Sequence, residues 1–409
     1  MGGSNRERVR RRRVFYIPGY DPFHPRRYRE LYRKEAASQA ALSGYEIALK
    51  PKQAGSGAYG WHVSASIDGH AADADVEVLV WSDIVRGSMS HGIAQTYWQL
   101  LRTAWAYIGS GAIFRLMRLR KGPTIAAFYP IAVLLLQLAL AVLAGWGLAL
   151  GLGWALAALG LPPALGWAGG AALVWAVLWR FRRADGRIYA YYLMHDFAFT
   201  AQSGGATPPP LGARMAEFRD RIAEALLQDW DEVLVVGHSS GAHLAVSALA
   251  DLIRAGRVPE RGPALGFLSL GHVVPMASFL PRAQTLRGDL AYLSARSELT
   301  WVDVTAPGDG CAFALCDPVA VSGVAPEDKR WPLVISAAFT QTLSPERWKA
   351  LRWRFFRLHF QYLCAFDRPG DYDYFRITAG PMTLAARYRG RAPSKSRIER
   401  PASRFRDVA

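Results

Sequence analysis

Cysteine is scarce in this sequence: Cys311, Cys316 and Cys364 are the only three in 409 residues, with no Cys-x-x-Cys pair and no His/Cys cluster at zinc spacing. That excludes a disulfide framework and a structural zinc site, and it points to a reducing compartment. No apolar stretch of signal-peptide length follows the N-terminal arginines Arg6, Arg8 and Arg10 to Arg13, so the sequence predicts no secretory leader there. Acidic residues are also in deficit, 33 against 49 Lys and Arg, which leaves a formal net charge of +16. Such a balance calls for an anionic partner or surface, either nucleic acid or phospholipid. No nucleic-acid-binding module is recognisable, so membrane lipid is the expected partner and nucleic acid is not.

The longest absence is internal. Between Pro123 and Trp179, 57 residues, there is no Asp, Glu, Lys or Arg. Because about 20 apolar residues cross a hydrocarbon core, the run predicts two membrane-spanning helices within 122–180. They are expected near 126–148 and 158–179, with a turn around Gly151 and Gly153 and with Pro162-Pro163 in the first turn of the second helix. Gly147 with Gly151, and Gly166 with Gly170, have the spacing that lets helices approach closely; generic glycine richness is the alternative. Arg115, Arg118, Arg120 and Lys121 precede the run and Arg180, Arg182 and Arg183 follow it, which places both flanks and both termini in the cytoplasm. A pair of buried helices in a soluble protein is the competing reading. Residues 93 to 121 mix Tyr97, Leu101, Trp105 and Phe114 with arginines, as a cationic amphipathic segment at a bilayer interface does.

What is present is a hydrophobic share of 51%, enough for a substantial core. Short apolar runs predict strands at Val14–Ile17, Tyr45–Leu49, Trp61–Ile67, Val76–Trp81, Leu265–Gly271, Trp301–Ala306 and Leu333–Ser336. Tyr28, Leu31 and Tyr32 have helical spacing, as do Met215, Phe218, Ile222 and Leu226. The tyrosine-rich stretch Ile188 to Phe199 reads as a strand whose His195 and Asp196 point to opposite faces, a poor catalytic pair. The arginine-rich residues 1–13 and the Arg/Lys/Ser/Pro-rich residues 386–409 read as tails, the second disordered. Between them lie 14–121 and 181–385, two parts of one α/β domain.

The most informative stretch is Glu232 to Leu249. The apolar run Val233 to Val236 runs straight into Gly237-His238-Ser239-Ser240-Gly241, and a small-residue helix pattern with Ala242, Ala245 and Leu249 follows. A serine on so tight a strand-to-helix turn projects its hydroxyl above the sheet, beside the free amides of a helix N-terminus. Upstream, Val14–Ile17 is followed by Pro18-Gly19-Tyr20-Asp21-Pro22; downstream, Asp309 follows a strand, and His359 is the single histidine after it.

In these motifs and their order, residues 14 to about 365 outside the apolar insertion resemble an α/β-hydrolase of the lipase and esterase kind. The resemblance implies a mostly parallel sheet with helices on both faces, interrupted by the transmembrane hairpin. It implies Ser239 as nucleophile, His359 as general base and then acid, and Asp309 as the carboxylate that orients it, with Asp317 as the rival acid. The oxyanion would be held by the backbone amides of Ser240 and about Tyr20, and no cofactor or metal is called for. The chain opens on what resembles the third strand of that family's sheet, so its first two strands are absent or replaced by those near 45 and 67. The activity implied is hydrolysis of a carboxylic ester or thioester with an apolar or lipid-like acyl group. The alternative is a catalytically inactive scaffold that keeps the fold.

Overall fold

The computed structural model describes residues 7–51, 58–89 and 92–409; the first six residues of the basic tail, Arg6 among them, lie outside. Among the described residues eight strands form: β1 (Arg11–Ile17), β2 (Glu46–Pro51), β3 (Gly60–Ile67), β4 (His70–Val78), β5 (Glu232–His238), β6 (Ala264–Leu270), β7 (Leu299–Thr305) and β8 (Leu333–Ser336). They make one mixed sheet in the order β2-β3-β4-β1-β5-β6-β7-β8. From β4 to β8 every pairing is parallel, whereas β2–β3 and β3–β4 are antiparallel. The antiparallel corner follows from Asp68-Gly69, both at positive φ (54° and 74°), a two-residue turn that sends β4 back along β3. β4 therefore starts at His70 and ends at Val78, earlier at both ends than the apolar run Val76–Trp81 indicates.

Alternation sorts the strand side chains onto two cores. Val14, Tyr16, Leu234, Val236, Leu268 and Val302 face α1 (Arg26–Ser43) through its Tyr28, Tyr32 and Ala36. Phe15, Ile17, Val233, Val235, Phe267 and Trp301 face the other way. Every residue of β5 is buried, as a parallel strand covered on both faces must be.

Five further helices matter for the site and its surroundings: α2 (Ile93–Gly109), α3 (Lys121–Ala158), α4 (Leu165–Arg183), α5 (Ala190–Ala201) and α6 (Pro209–Leu226). After the elbow, the tight strand-to-helix turn at residues 237–241, come α7 (Gly241–Arg254), α8 (Gln284–Ala295) and the short α9 (Phe355–His359). α6, α7 and α8 pack on the second core through Phe218 and Ile222, Ala245 and Leu249, and Leu286 and Leu290.

The charge-free run behaves differently from expectation. α3 continues for 38 residues, about 57 Å at the rise of an α-helix. Gly151 and Gly153 lie inside it, because a glycine in an apolar helix costs only about 1 kcal/mol and does not stop it. The turn falls at residues 159–164, where Gly160 takes φ 73° and Pro162-Pro163 precede α4 rather than begin it. Among the described residues α3 alone is long and apolar enough to cross a membrane. The pair of equivalent membrane-length spans is therefore corrected: α4 has 19 residues and carries Arg180, Arg182 and Arg183 within its last turn.

The two helices pack antiparallel through missing side chains. A Cβ on Gly170 would lie 2.5 Å from the Gly145 carbonyl oxygen, and one on Gly166 would lie 2.5 Å from that of Ala149. Gly147 and Gly151 face open space, so of the two glycine pairs only Gly166/Gly170 serves contact. α5 packs on the base of α3, with Tyr191 and Met194 against Leu134.

Three further expectations are corrected. Residues 188–199 are largely the helix α5, not a strand, because Asp185 accepts hydrogen bonds from the amides of Tyr191 (2.9 Å) and Tyr192 (3.0 Å) and fixes a helical start. The basic residues near the N-terminus are not a loose tail: Arg12 is buried in β1 and pairs with buried Glu232 at 2.6 Å. Residues 386–409 are packed rather than disordered. Ile398 bridges to Cys316, Ala402 N–H donates to the Val321 carbonyl (2.9 Å), and Asp407 pairs with Arg287 (3.0 Å).

Candidate active site

β5 ends at His238, and Ser239 then takes φ 57°, one of few non-glycine residues in the left-handed region. That conformation costs an L-residue roughly 1–2 kcal/mol, and the surroundings enforce it. A Cβ on Gly237 would lie 2.7 Å from Ala242 Cα, and one on Gly241 would collide with the carbonyl oxygen of Ile17 in β1. Gly19 is a third such position, which the sequence did not single out: a Cβ there would lie 2.9 Å from Ser239 Cβ. The loop after β1 therefore rests directly on the serine.

His359 closes α9 with its Nδ1 2.7 Å from Asp309 Oδ2, both side chains buried. Asp309 Oδ2 also accepts from Tyr362 Oη (3.0 Å), and Oδ1 accepts from the Cys311 amide (2.9 Å). Burial alone would raise the carboxyl pKa; the imidazole and these donors outweigh it and hold the group below its ordinary value, hence ionised at neutral pH. The rival acid Asp317 is committed elsewhere, capping the Pro318–Ser322 helix at Val319 and Ala320 and pairing with Lys329 at 2.6 Å.

Ser239 and His359 line one cavity of about 1120 Å³. No hydrogen bond joins them among the described residues; the Ser239 amide instead donates to the Leu270 carbonyl (2.9 Å), and a Cβ on the next residue, Gly271, would lie 3.2 Å from His359 Cε1. The imidazole thus sits one residue from the serine's own backbone partner. Such contacts are commonly long in a free enzyme and tighten with substrate bound.

No family model, curated protein or solved structure matches the chain. What the site can do follows from its own geometry.

The Ser240 and Tyr20 amides, the expected oxyanion donors, carry no hydrogen bond among the described residues. Tyr20 is fixed at both ends: its hydroxyl meets Ser88 Oγ at 2.5 Å, and its carbonyl accepts from the Tyr192 hydroxyl of α5. Tyr192 belongs to the site and was missed, because a tyrosine read as part of a strand carries no sign that it reaches a loop 172 residues away. His238 is a second omission. Burial, then the neighbouring His359, lowers its pKa to about 3, so it is neutral, and its Nε2–H donates to the His359 carbonyl at 3.0 Å. That bond ties the residue before the serine to the backbone of the general-base candidate.

Asp309, Cys311 and His359 could each offer an atom to a metal ion. Two of the three are already paired through His359 Nδ1. Asp309 and His359 are hydrogen-bonded to each other, and burial with nearby Asp309 and Asp196 pushes the Cys311 thiol well up, against forming the thiolate a soft metal needs.

Proposed function

We propose that the chain is a serine hydrolase of α/β-hydrolase type that cleaves a carboxylic ester or thioester of an apolar acyl group. The observation that carries the reading is Ser239 at φ 57° on the end of a buried parallel strand, sharing a cavity with a histidine whose other ring nitrogen is held by a buried carboxylate. Ser239 Oγ attacks the acyl carbonyl carbon as His359 Nε2 takes its proton. The oxyanion is met by the Ser240 and Tyr20 amides, and His359 then protonates the leaving oxygen or sulfur. Water, deprotonated by the same imidazole, releases the acid from the acyl-serine.

Membrane lipid supplies the setting. α3 has the length and composition for it, and Leu136, Leu143, Trp146 and Trp154 on α3 stand exposed with Trp167 and Trp175 on α4 and Trp98, Leu101 and Trp105 on α2. Single-copy soluble proteins rarely expose apolar surface on that scale. Flotation with neutral vesicles that persists in high salt supports attachment through this surface; loss of flotation in salt leaves only its basic charge.

A fluorophosphonate probe tests the chemistry: it labels the wild-type protein and leaves Ser239→Ala unlabelled. The unmade Ser239–His359 bond is the observation that favours the inactive-scaffold reading, and failure of the intact protein to label in detergent and in lipid decides for it.

A further inference from the structure

Among the described residues five Lys and Arg side chains line the cavity: Arg27, Lys34, Arg347, Arg354 and Arg357. Three have acidic partners, Arg27 with Asp21 (3.0 Å), Lys34 with Glu35 (4.0 Å) and Arg347 with Asp367 (2.9 Å). Arg354 and Arg357 have none among the described residues, and both reach solvent. They lie just before and within α9, the helix that ends in His359. In the hydrolase reading His359 delivers the proton to the leaving group, and Arg354 and Arg357 stand on the segment that carries it. Other lining residues are apolar: Pro123 and Ala126 at the base of α3, with Tyr189, Phe197 and Met276, and Tyr189 packs on Phe356 of α9 at 4.9 Å between ring centroids. The cavity therefore has an apolar wall that joins the exposed helical surface and a cationic rim beside the general acid.

Resting on the hydrolase reading, we propose that the leaving group of the substrate carries a phosphate-like anion, so that the substrate is an anionic amphiphile, an acyl ester or thioester of a phosphorylated alcohol or thiol. The acyl chain lies along the α3 wall and the anion meets Arg354 and Arg357, whose planar guanidinium groups suit phosphate oxygens. Hydrolysis consumes one water: the acyl carbon to oxygen or sulfur bond breaks, the carbon gains the water oxygen, and the phosphorylated alcohol or thiol leaves with the proton from His359. Two sources share this chemistry, a lysophospholipid of the bilayer and a soluble phosphorylated thioester.

The test uses the full chain in neutral detergent micelles and compares a lysophosphatidate with the monoacylglycerol of the same chain length. The expected result is a higher kcat/KM for the anionic ester, and a fall in the anionic-over-neutral ratio of about 10-fold or more in the Arg354→Ala/Arg357→Ala variant. Arg354→Lys/Arg357→Lys, which keeps the charge, retains most of the preference. A soluble acyl thioester of a phosphorylated thiol run in parallel identifies the source by which substrate shows the larger arginine dependence. Equal kcat/KM for the charged and neutral esters in the wild type overturns the proposal. So does a double variant that loses binding to anionic vesicles but keeps the preference in neutral micelles, since the arginines then rest only on headgroups. Fluorophosphonate labelling of Ser239 in the same samples separates a wrong substrate class from a wrong reaction.

Discussion

β5 and α3 are both runs of apolar residues, and the chain treats them in opposite ways. β5 is buried at every position and delivers one strained serine to its end, whereas the most apolar window of α3 is only 28% buried and leaves leucine and tryptophan side chains outside. Around β5 each neighbour is a particular group at a particular distance: Asp309 on His359, His238 on the His359 carbonyl, Tyr192 on the Tyr20 carbonyl. Between α3 and α4 the contact is made by what is missing, with Gly145, Ala149, Gly166 and Gly170 bringing backbones together. One region is specified by polar identity and the other by size, so substitutions should separate them.

The largest separation is expected at the site. Ser239→Ala should abolish turnover, a loss of about 10⁴-fold or more, and Asp309→Asn should come close because the imidazole loses its orienting carboxylate. Melting temperature and membrane flotation should hardly change for Ser239→Ala. Turnover surviving Ser239→Ala within tenfold breaks the comparison at its strongest point.

Tyr192→Phe is next. It removes the hydroxyl that holds the Tyr20 carbonyl while keeping the ring that packs against Tyr20 and Phe356. A loosened oxyanion donor should lower kcat by roughly 10- to 100-fold with KM little changed. A rise in KM at constant kcat would assign Tyr192 to substrate binding instead.

Gly170→Leu addresses the other region. Its Cβ has no room beside the Gly145 carbonyl, so the helices must part, at about 1–3 kcal/mol. Cysteine cross-linking between Leu152 and Gly169, which face each other across the pair, should weaken, while a short soluble ester is turned over at close to the wild-type rate. An equal loss of hydrolysis would show that the two regions are one mechanical unit.

What could be read in advance follows the same division. The elbow was legible because its requirements are local: an apolar strand, two glycines with no room for a side chain, and a helix start lie within 14 residues of sequence. Asp309 was legible by position, in a loop past a strand end, although only the structure separates it from Asp317. The charge-free run was legible as apolarity but not as geometry, since nothing local shows that Gly151 stays helical while Gly160 turns. α5 was misread because its aromatic residues favour strands, and the Asp185 cap that overrides them acts across six residues. The C-terminal residues looked disordered for want of apolar side chains, yet they are held by backbone bonds and by pairs such as Arg391–Asp371. Those partners are distant in sequence and leave no local pattern.

Asp196, the carboxyl of α5 that lines the cavity, gives the smallest and most discriminating effect. Burial raises its pKa to about 7 against the opposing pull of His359, while in the unfolded chain the value is near 3.9. Below about pH 4 the group is protonated in both states. As pH rises toward 7 the unfolded chain gives up a proton that the fold retains, so the stability this group contributes is lost on passing through about pH 7. Asp196→Asn has no such titration: its melting temperature should match the wild type near pH 4 and exceed it by a few degrees at pH 8. A melting difference that is flat from pH 4 to 8 would mean that burial in the cavity wall does not hold the Asp196 carboxyl protonated, and that α5 meets the β5 side of the site more openly than the structure has it.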